Sequence, residues 1–230
     1  MLSTGKIAGA IALCTMALFY HDSLLYHRFS FFTAQSQSCP DRNGRFPVSD
    51  QCDAYIECVD GEPKRQLCPD GLLFNDKASL FTYPCQYPID VECGSRARTQ
   101  PPIPTEDCPH QFGYYKVGDR SHCGQFMNCA AGTAFVLDCP TGLAFNSATY
   151  QCDWPDLVED CDAEAYLGFK CPPQAQGLIQ PVRFFRSPND CQKYFLCVDD
   201  RPRVNFCGPE QAFNELINAC DGVANVTGCA

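Results

Sequence analysis

The feature that most constrains this chain is the spacing of its cysteines. It has nineteen in 230 residues, and eighteen of them fall into three sets of six. The first set is Cys39, Cys52, Cys58, Cys68, Cys85 and Cys93. The second is Cys108, Cys123, Cys129, Cys139, Cys152 and Cys161, and the third is Cys171, Cys191, Cys197, Cys207, Cys220 and Cys229. In every set five residues separate the second cysteine from the third, and nine separate the third from the fourth. The fourth-to-fifth gap is sixteen, twelve and twelve, and the last gap is seven, eight and eight. Only the first gap varies freely, at twelve, fourteen and nineteen. Fixed gaps mark a rigid paired element and a variable gap marks a loop, so the chain reads as three repeats of one small unit.

Cysteine at this density implies disulfides formed in an oxidising compartment. Structural zinc sites usually use CxxC knuckles, and the sequence contains none. Its four histidines (His21, His27, His110, His122) are too few and too scattered to complete repeated sites. No metal and no cofactor is expected. Units of this size are too small to be stable on a hydrophobic core alone, so covalent staples are required. Short β-branched and aromatic runs broken by Gly, Pro and Asp predict strands and turns rather than long helices. Within the nine-residue gap, Asp60-Gly61 is a strong hairpin signal, and Ala131-Gly132 and Asp199-Asp200 stand in its place in the other units. The expected fold class is small, disulfide-rich and β.

The N-terminus carries Lys6 and then an apolar run from Ile7 to Tyr20. That run suits a signal peptide and is short for a membrane span. Residues 1–38 are read as a signal peptide or signal-bearing segment, whose removal takes Cys14 and leaves an even set of cysteines. The mature chain is then secreted, with no membrane partner. Modules are expected at 39–93, 108–161 and 171–229, with linkers at 94–107 and 162–170. The first linker holds Pro101, Pro102 and Pro104 and predicts an extended, exposed segment reaching about 40 Å at ~3.1 Å per residue. The second holds Tyr166, Leu167 and Phe169 and predicts docking between the second and third modules. A formal charge of −10 argues against nucleic acid or an anionic membrane surface as partner.

The second and third cysteines of each set lie six residues apart, so on a strand they face the same side. Ile56, Met127 and Phe195 share that parity and are expected inside. Tyr55, Phe126 and Tyr194 have the opposite parity and would point to a face with little left to cover it. A ring exposed at one fixed place in three repeats suits stacking on the axial C–H groups of a pyranose, which joins apolar burial to the negative face of the ring. The competing reading is that these rings pack against the first loop, whose own aromatics include Phe46, Tyr114, Tyr115, Phe184 and Phe185. Parity alone leaves both open.

The six-cysteine pattern carries further repeated segments: Pro69-Asp70-Gly71-Leu72-Leu73-Phe74-Asn75, Pro140-Thr141-Gly142-Leu143-Ala144-Phe145-Asn146, and Asp153-Trp154-Pro155. Together these resemble the peritrophin-A or type 2 chitin-binding domain, also called the tachycitin-like domain or carbohydrate-binding module family 14. Three such units after a signal peptide resemble the insect cuticular obstructor proteins. The resemblance implies modules made of a three-stranded antiparallel sheet followed by a hairpin. It also implies first-to-third, second-to-sixth and fourth-to-fifth pairing, where spacing alone allows fifteen pairings. The implied disulfides are Cys39–Cys58, Cys52–Cys93 and Cys68–Cys85, then Cys108–Cys129, Cys123–Cys161 and Cys139–Cys152, then Cys171–Cys197, Cys191–Cys229 and Cys207–Cys220. Chitin contacts are implied on the hairpin and on the aromatic after the fifth cysteine, which adds Tyr87 and Trp154 to Tyr55, Phe126 and Tyr194. Asn75, Asn146 and Asn214 are amide candidates, although such residues more often hold their own turns.

The third unit departs from the pattern. After Cys220 it reads Asp221-Gly222-Val223, and after Cys207 it reads Gly208-Pro209-Glu210, so weaker binding is expected there. Asn225-Val226-Thr227 is a glycosylation acceptor triplet. No GxSxG, HExxH or paired Cys/His arrangement occurs, and the repeats leave no room for a catalytic domain. The expectation is a secreted, non-catalytic protein that crosslinks chitin in cuticle, with other cuticle proteins as further partners. The alternatives are an extracellular interaction protein whose modules bind other matrix proteins, and a component of the peritrophic matrix.

Overall fold

The structure is a computed structural model and describes residues 38–174 and 180–229. The signal-peptide reading of the N-terminus, apart from Ser38, lies outside the described residues.

In the first unit β1 (Gly44–Pro47), β2 (Ala54–Val59) and β3 (Glu62–Leu67) form an antiparallel sheet in that order. A two-stranded hairpin follows, β4 (Leu73–Phe74) with β5 (Cys85–Gln86). The second unit repeats this with β6 (Gly113–Val117), β7 (Gln125–Ala130) and β8 (Thr133–Asp138), then β9 (Ala144–Asn146) with β10 (Gln151–Asp153). A short helix α1 (Ala163–Leu167) separates it from the third unit. That unit has β11 (Val182–Arg186), β12 (Lys193–Val198) and β13 (Arg201–Phe206), then β14 (Gln211–Asn214) with β15 (Ala219–Gly222).

The turn between the second and third strands of each sheet has two central residues, both in the left-handed region. Their φ values are 53° and 88° at Asp60-Gly61, 50° and 77° at Ala131-Gly132, and 48° and 62° at Asp199-Asp200. Such a turn matches the right-handed twist of the flanking strands, which fixes the register of the hairpin. Nine disulfides close within the units, first to third, second to sixth and fourth to fifth, across Cα separations of 5.5 to 6.0 Å. Such separations fall at the commonest disulfide spacing of about 5.5–6 Å.

The first sheet is covered on both faces. Ile56 lies with Val48, Ala54 and Cys58 on one face of the first sheet, with Phe46 packed against them. Tyr55 lies on the other, with Cys68, Leu72, Phe74 and Cys85. Parity therefore assigns the two faces of the first sheet, and Phe195 is buried as expected while Met127 is only half-buried. The face opposite Ile56 is not bare, because the β4–β5 hairpin folds back over it. Tyr55 is only 9% exposed.

The first linker is extended but not free. Its prolines are exposed, while Arg96 is 6% exposed and donates to the carbonyls of Phe74, Glu92 and Cys93. The Cys52 N–H donates to the Arg98 carbonyl at 2.8 Å, and the Gln100 N–H donates to Asp53 at 2.7 Å. The linker is exposed over most of its length, as expected, but it is tied to the first unit: Arg96 and Gln100 donate to acceptors of that unit and the Arg98 carbonyl accepts from it. In the second linker Tyr166 donates to the Leu143 carbonyl at 2.9 Å, while Phe169 stacks on Phe195 of the third unit with centroids 4.1 Å apart. Helix α1 packs against β13.

Candidate functional site

The repeated aromatics of the second strands serve the hairpins. Tyr55 stacks on Phe74 at 4.7 Å, Phe126 on Phe145 at 4.7 Å, and Tyr194 on Phe213 at 4.3 Å, with interplanar angles of 15°, 16° and 13°. Phe74, Phe145 and Phe213 are among the most deeply buried side chains of the molecule. The phenylalanine of each Phe-Asn segment thus fixes its hairpin to the sheet through one ring-on-ring contact. Phe126 and Tyr194 remain half-buried.

The asparagine after each phenylalanine holds the hairpin turn. The side-chain oxygens of Asn75, Asn146 and Asn214 accept from the N–H groups of Lys77, Ala148 and Leu216 at 2.9, 3.0 and 3.0 Å. This is the local bonding that favours asparagine at such corners. Asn75 also donates to Gln86 at 2.7 Å. In the third unit Asn225 is exposed and donates to Asp221 at 2.9 Å, which with the Gly222 N–H holds the Asp221 carboxyl below its usual range.

Tyr87 and Trp154 each sit between two units. The Tyr87 ring lies 4.9 Å from Tyr114 and 6.4 Å from Tyr150 of the second unit. Burial, followed by the influence of Tyr114 and Tyr150, pushes its phenol up to about 12. Trp154 lies under the Arg203 guanidinium of the third unit, 5.3 Å from ring centroid to Cζ. Arg203 in turn grips Asp156 with two bonds of 2.8 and 2.9 Å.

Two hollows open beside these rings. One, of about 540 Å³, is lined by Leu72, Thr82, Tyr83, Gln86, Tyr87, Asp90 and Phe112. It combines apolar and aromatic walls with a few polar groups, as small-ligand sites do. The other, of about 330 Å³, is lined by Pro140, Thr141, Leu143, Asp153, Trp154, Val204 and Asn205. Tyr83, 61% exposed, is a candidate that parity could not find. It comes from the longer fourth-to-fifth gap of the first unit, and that insertion was its only signal. Phe112, Asp70, Asp156 and Arg203 also went unnoticed, because their role arises only where two units meet.

The profile of the chitin-binding peritrophin-A domain matches this chain three times, at residues 34–93, 108–161 and 179–229. The chain belongs to that family: it is a string of small disulfide-stapled chitin-binding-type β modules. Among individual proteins it is similar to obstructor-E of Drosophila melanogaster, with 48% identity over 212 residues, covering 87% of this chain and 85% of that protein. It is 31% identical to peritrophin-1 of Anopheles gambiae over 115 residues, or 47% of this chain and 72% of the relative. It is 22% identical to probable chitinase 10 of Drosophila melanogaster over 214 residues, covering 76% of this chain but 9% of the relative.

Proposed function

We propose that this is a secreted, extracellular protein that binds chitin without cleaving it and organises chitin fibrils in cuticle. The observation that carries the reading is the threefold match to a chitin-binding domain on three separately stapled β units. Similarity to an obstructor spans 87% of the chain, against 47% for a peritrophin, which favours cuticle over a peritrophic matrix. Several weak sites on one chain gain through effective concentration when all can engage one polymer.

The non-catalytic reading has two supports. The likeness to a chitinase covers only 9% of that enzyme. One Ser–His–Asp cluster does occur, at Ser121, His122 and Asp119, but both oxygens approach the same imidazole nitrogen, Nδ1, at 3.1 and 2.9 Å. A relay needs the acid on one ring nitrogen and the nucleophile on the other.

Sugar contacts belong to the hollows beside the hairpins. Tyr83, Tyr87 and Phe112 supply apolar ring surface in the larger one, with Gln86 and Asp90 as polar partners. Trp154 supplies it in the smaller. Tyr55, Phe126 and Tyr194, committed to their hairpins, and Asn75 and Asn146, committed to their turns, support this surface from beneath. Asn225, exposed in the third unit, is the glycosylation acceptor.

Retention of the secreted protein on chitin beads tests the reading. Tyr83 is exposed enough that Tyr83→Ala leaves folding intact, and it is expected to weaken retention severalfold with little dependence on salt. Wild-type protein passing straight through the beads would overturn the function. Undiminished retention of Tyr83→Ala would overturn the placement of the site.

A further inference from the structure

In the first two units the same positions face the unit that follows. One is the glycine of the Cys-Pro-x-Gly turn. A Cβ built at Gly71 would strike the Phe112 carbonyl, and one built at Gly142 would strike the Val204 side chain. The second is the aromatic after the fifth cysteine, Tyr87 against Tyr114 and Trp154 under Arg203. A buried acid completes each contact. Asp70, 3% exposed, accepts from the N–H groups of Ile103 and Gln111 at 2.8 and 3.1 Å and lies 2.8 Å from His110 Nδ1. Asp156 grips Arg203.

The third unit has none of these. Glu210 stands at the glycine position and holds the same left-handed turn at φ 58°. Gly222 stands at the aromatic position, and Pro209 and Ala224 stand where the acids would be.

The receiving side shows the complementary pattern. In each sheet one row of three side chains crosses the face that carries Tyr55, Phe126 or Tyr194. In the second unit the row is Tyr114–Asn128–Phe135, and Tyr87 docks at the Tyr114 end. In the third it is Phe184–Leu196–Arg203, and Trp154 docks at the Arg203 end. In the first unit the row is Arg45–Glu57–Lys64, charged throughout, with an Arg45–Glu57 ion pair at 3.5 Å. Two units carry donor features and two carry receiving rows.

We propose that the aromatic after the fifth cysteine and the turn glycine form a joint that docks the first module onto the second and the second onto the third. The departures of the third unit at Glu210 and Gly222 are then the loss of the joint's donor residues and not a degraded sugar site. The joint shares Tyr87 and Trp154 with the proposed sugar hollows, but it is argued from contacts between modules and is read without chitin.

Trp154 is the only tryptophan of the chain, so intrinsic fluorescence reports the second joint directly. Gly142→Glu installs the residue that the third unit already tolerates in this turn. It is expected to move Trp154 emission to the red and to raise the radius of gyration measured by small-angle scattering. Arg203→Ala, which leaves the turn untouched, is expected to do the same. Glu210→Gly is expected to change neither. Unchanged emission and size in both joint variants, or an equal change in Glu210→Gly, would overturn the joint. Neither readout uses chitin, so the joint can fail while chitin binding stands, and the reverse.

Discussion

Ala131 shows how little freedom one residue has in a unit this small. It occupies the first central position of the β7–β8 turn at φ 50°, where the other units place aspartate. A left-handed conformation costs a residue with a Cβ roughly 1–2 kcal/mol, more than the ~0.5–1 kcal/mol of backbone entropy that glycine gives up. Because Ala131 is exposed, Ala131→Gly is expected to stabilise the protein by about 0.5–1 kcal/mol. Guanidinium unfolding with the disulfides intact measures this, and a loss of stability would refute it. Similar reasoning separates the aromatics that parity had grouped together: what each ring touches, and not its place in the repeat, sets its role.

The hairpin that follows each sheet is the element that most changes the sequence-based picture. It lies on the face that carries Tyr55, Phe126 and Tyr194, and its phenylalanine is the contact that holds it there. Phe145→Ala, at a fully buried ring, is expected to cost ~3–5 kcal/mol. Phe81→Ala, at a ring fully in solvent on the hairpin of the first unit, is expected to stay within about 0.5 kcal/mol. Comparable losses in the two variants would mean that the hairpin is not anchored through this stack. Strand parity and the turn signals were legible because they depend on neighbours in sequence. The covering of the second face was not, because it depends on where a segment some twenty residues downstream folds back.

At the scale of the whole molecule, the first linker and the joints turn three stapled units into one body. Asp70 makes the first joint sensitive to acid. Burial alone would raise its carboxyl, but hydrogen bonds from His110 and from the Ile103 and Gln111 N–H groups outweigh that and hold it below its usual range. A carboxylate with a depressed folded pKa contributes stability above its unfolded pKa of about 3.9 and loses it as pH falls through the folded value. The wild type is therefore expected to be more stable than Asp70→Asn near neutrality, with the gap closing below about pH 4. Unfolding midpoints across an acid series measure it, and a gap that does not depend on pH would assign the loss to packing instead.

The sequence by itself determined the number of units, their covalent character, the strand–turn–strand core of each and the family to which they belong. The first three follow from local spacing and turn residues, because a fixed gap between two cysteines can be met only by a fixed local geometry. The family rested on the resemblance of the cysteine pattern and the repeated segments together. The choice among fifteen disulfide pairings rested on family resemblance until Cα separations of 5.5 to 6.0 Å could be seen. Tertiary structure alone decided that Tyr55 is buried, that the proline-rich linker is tied to the first unit at Arg96, Arg98 and Gln100, and that Trp154 meets Arg203. Each of these depends on surfaces far apart in sequence meeting in space, and no periodicity within a unit records which surface of the next unit it will touch.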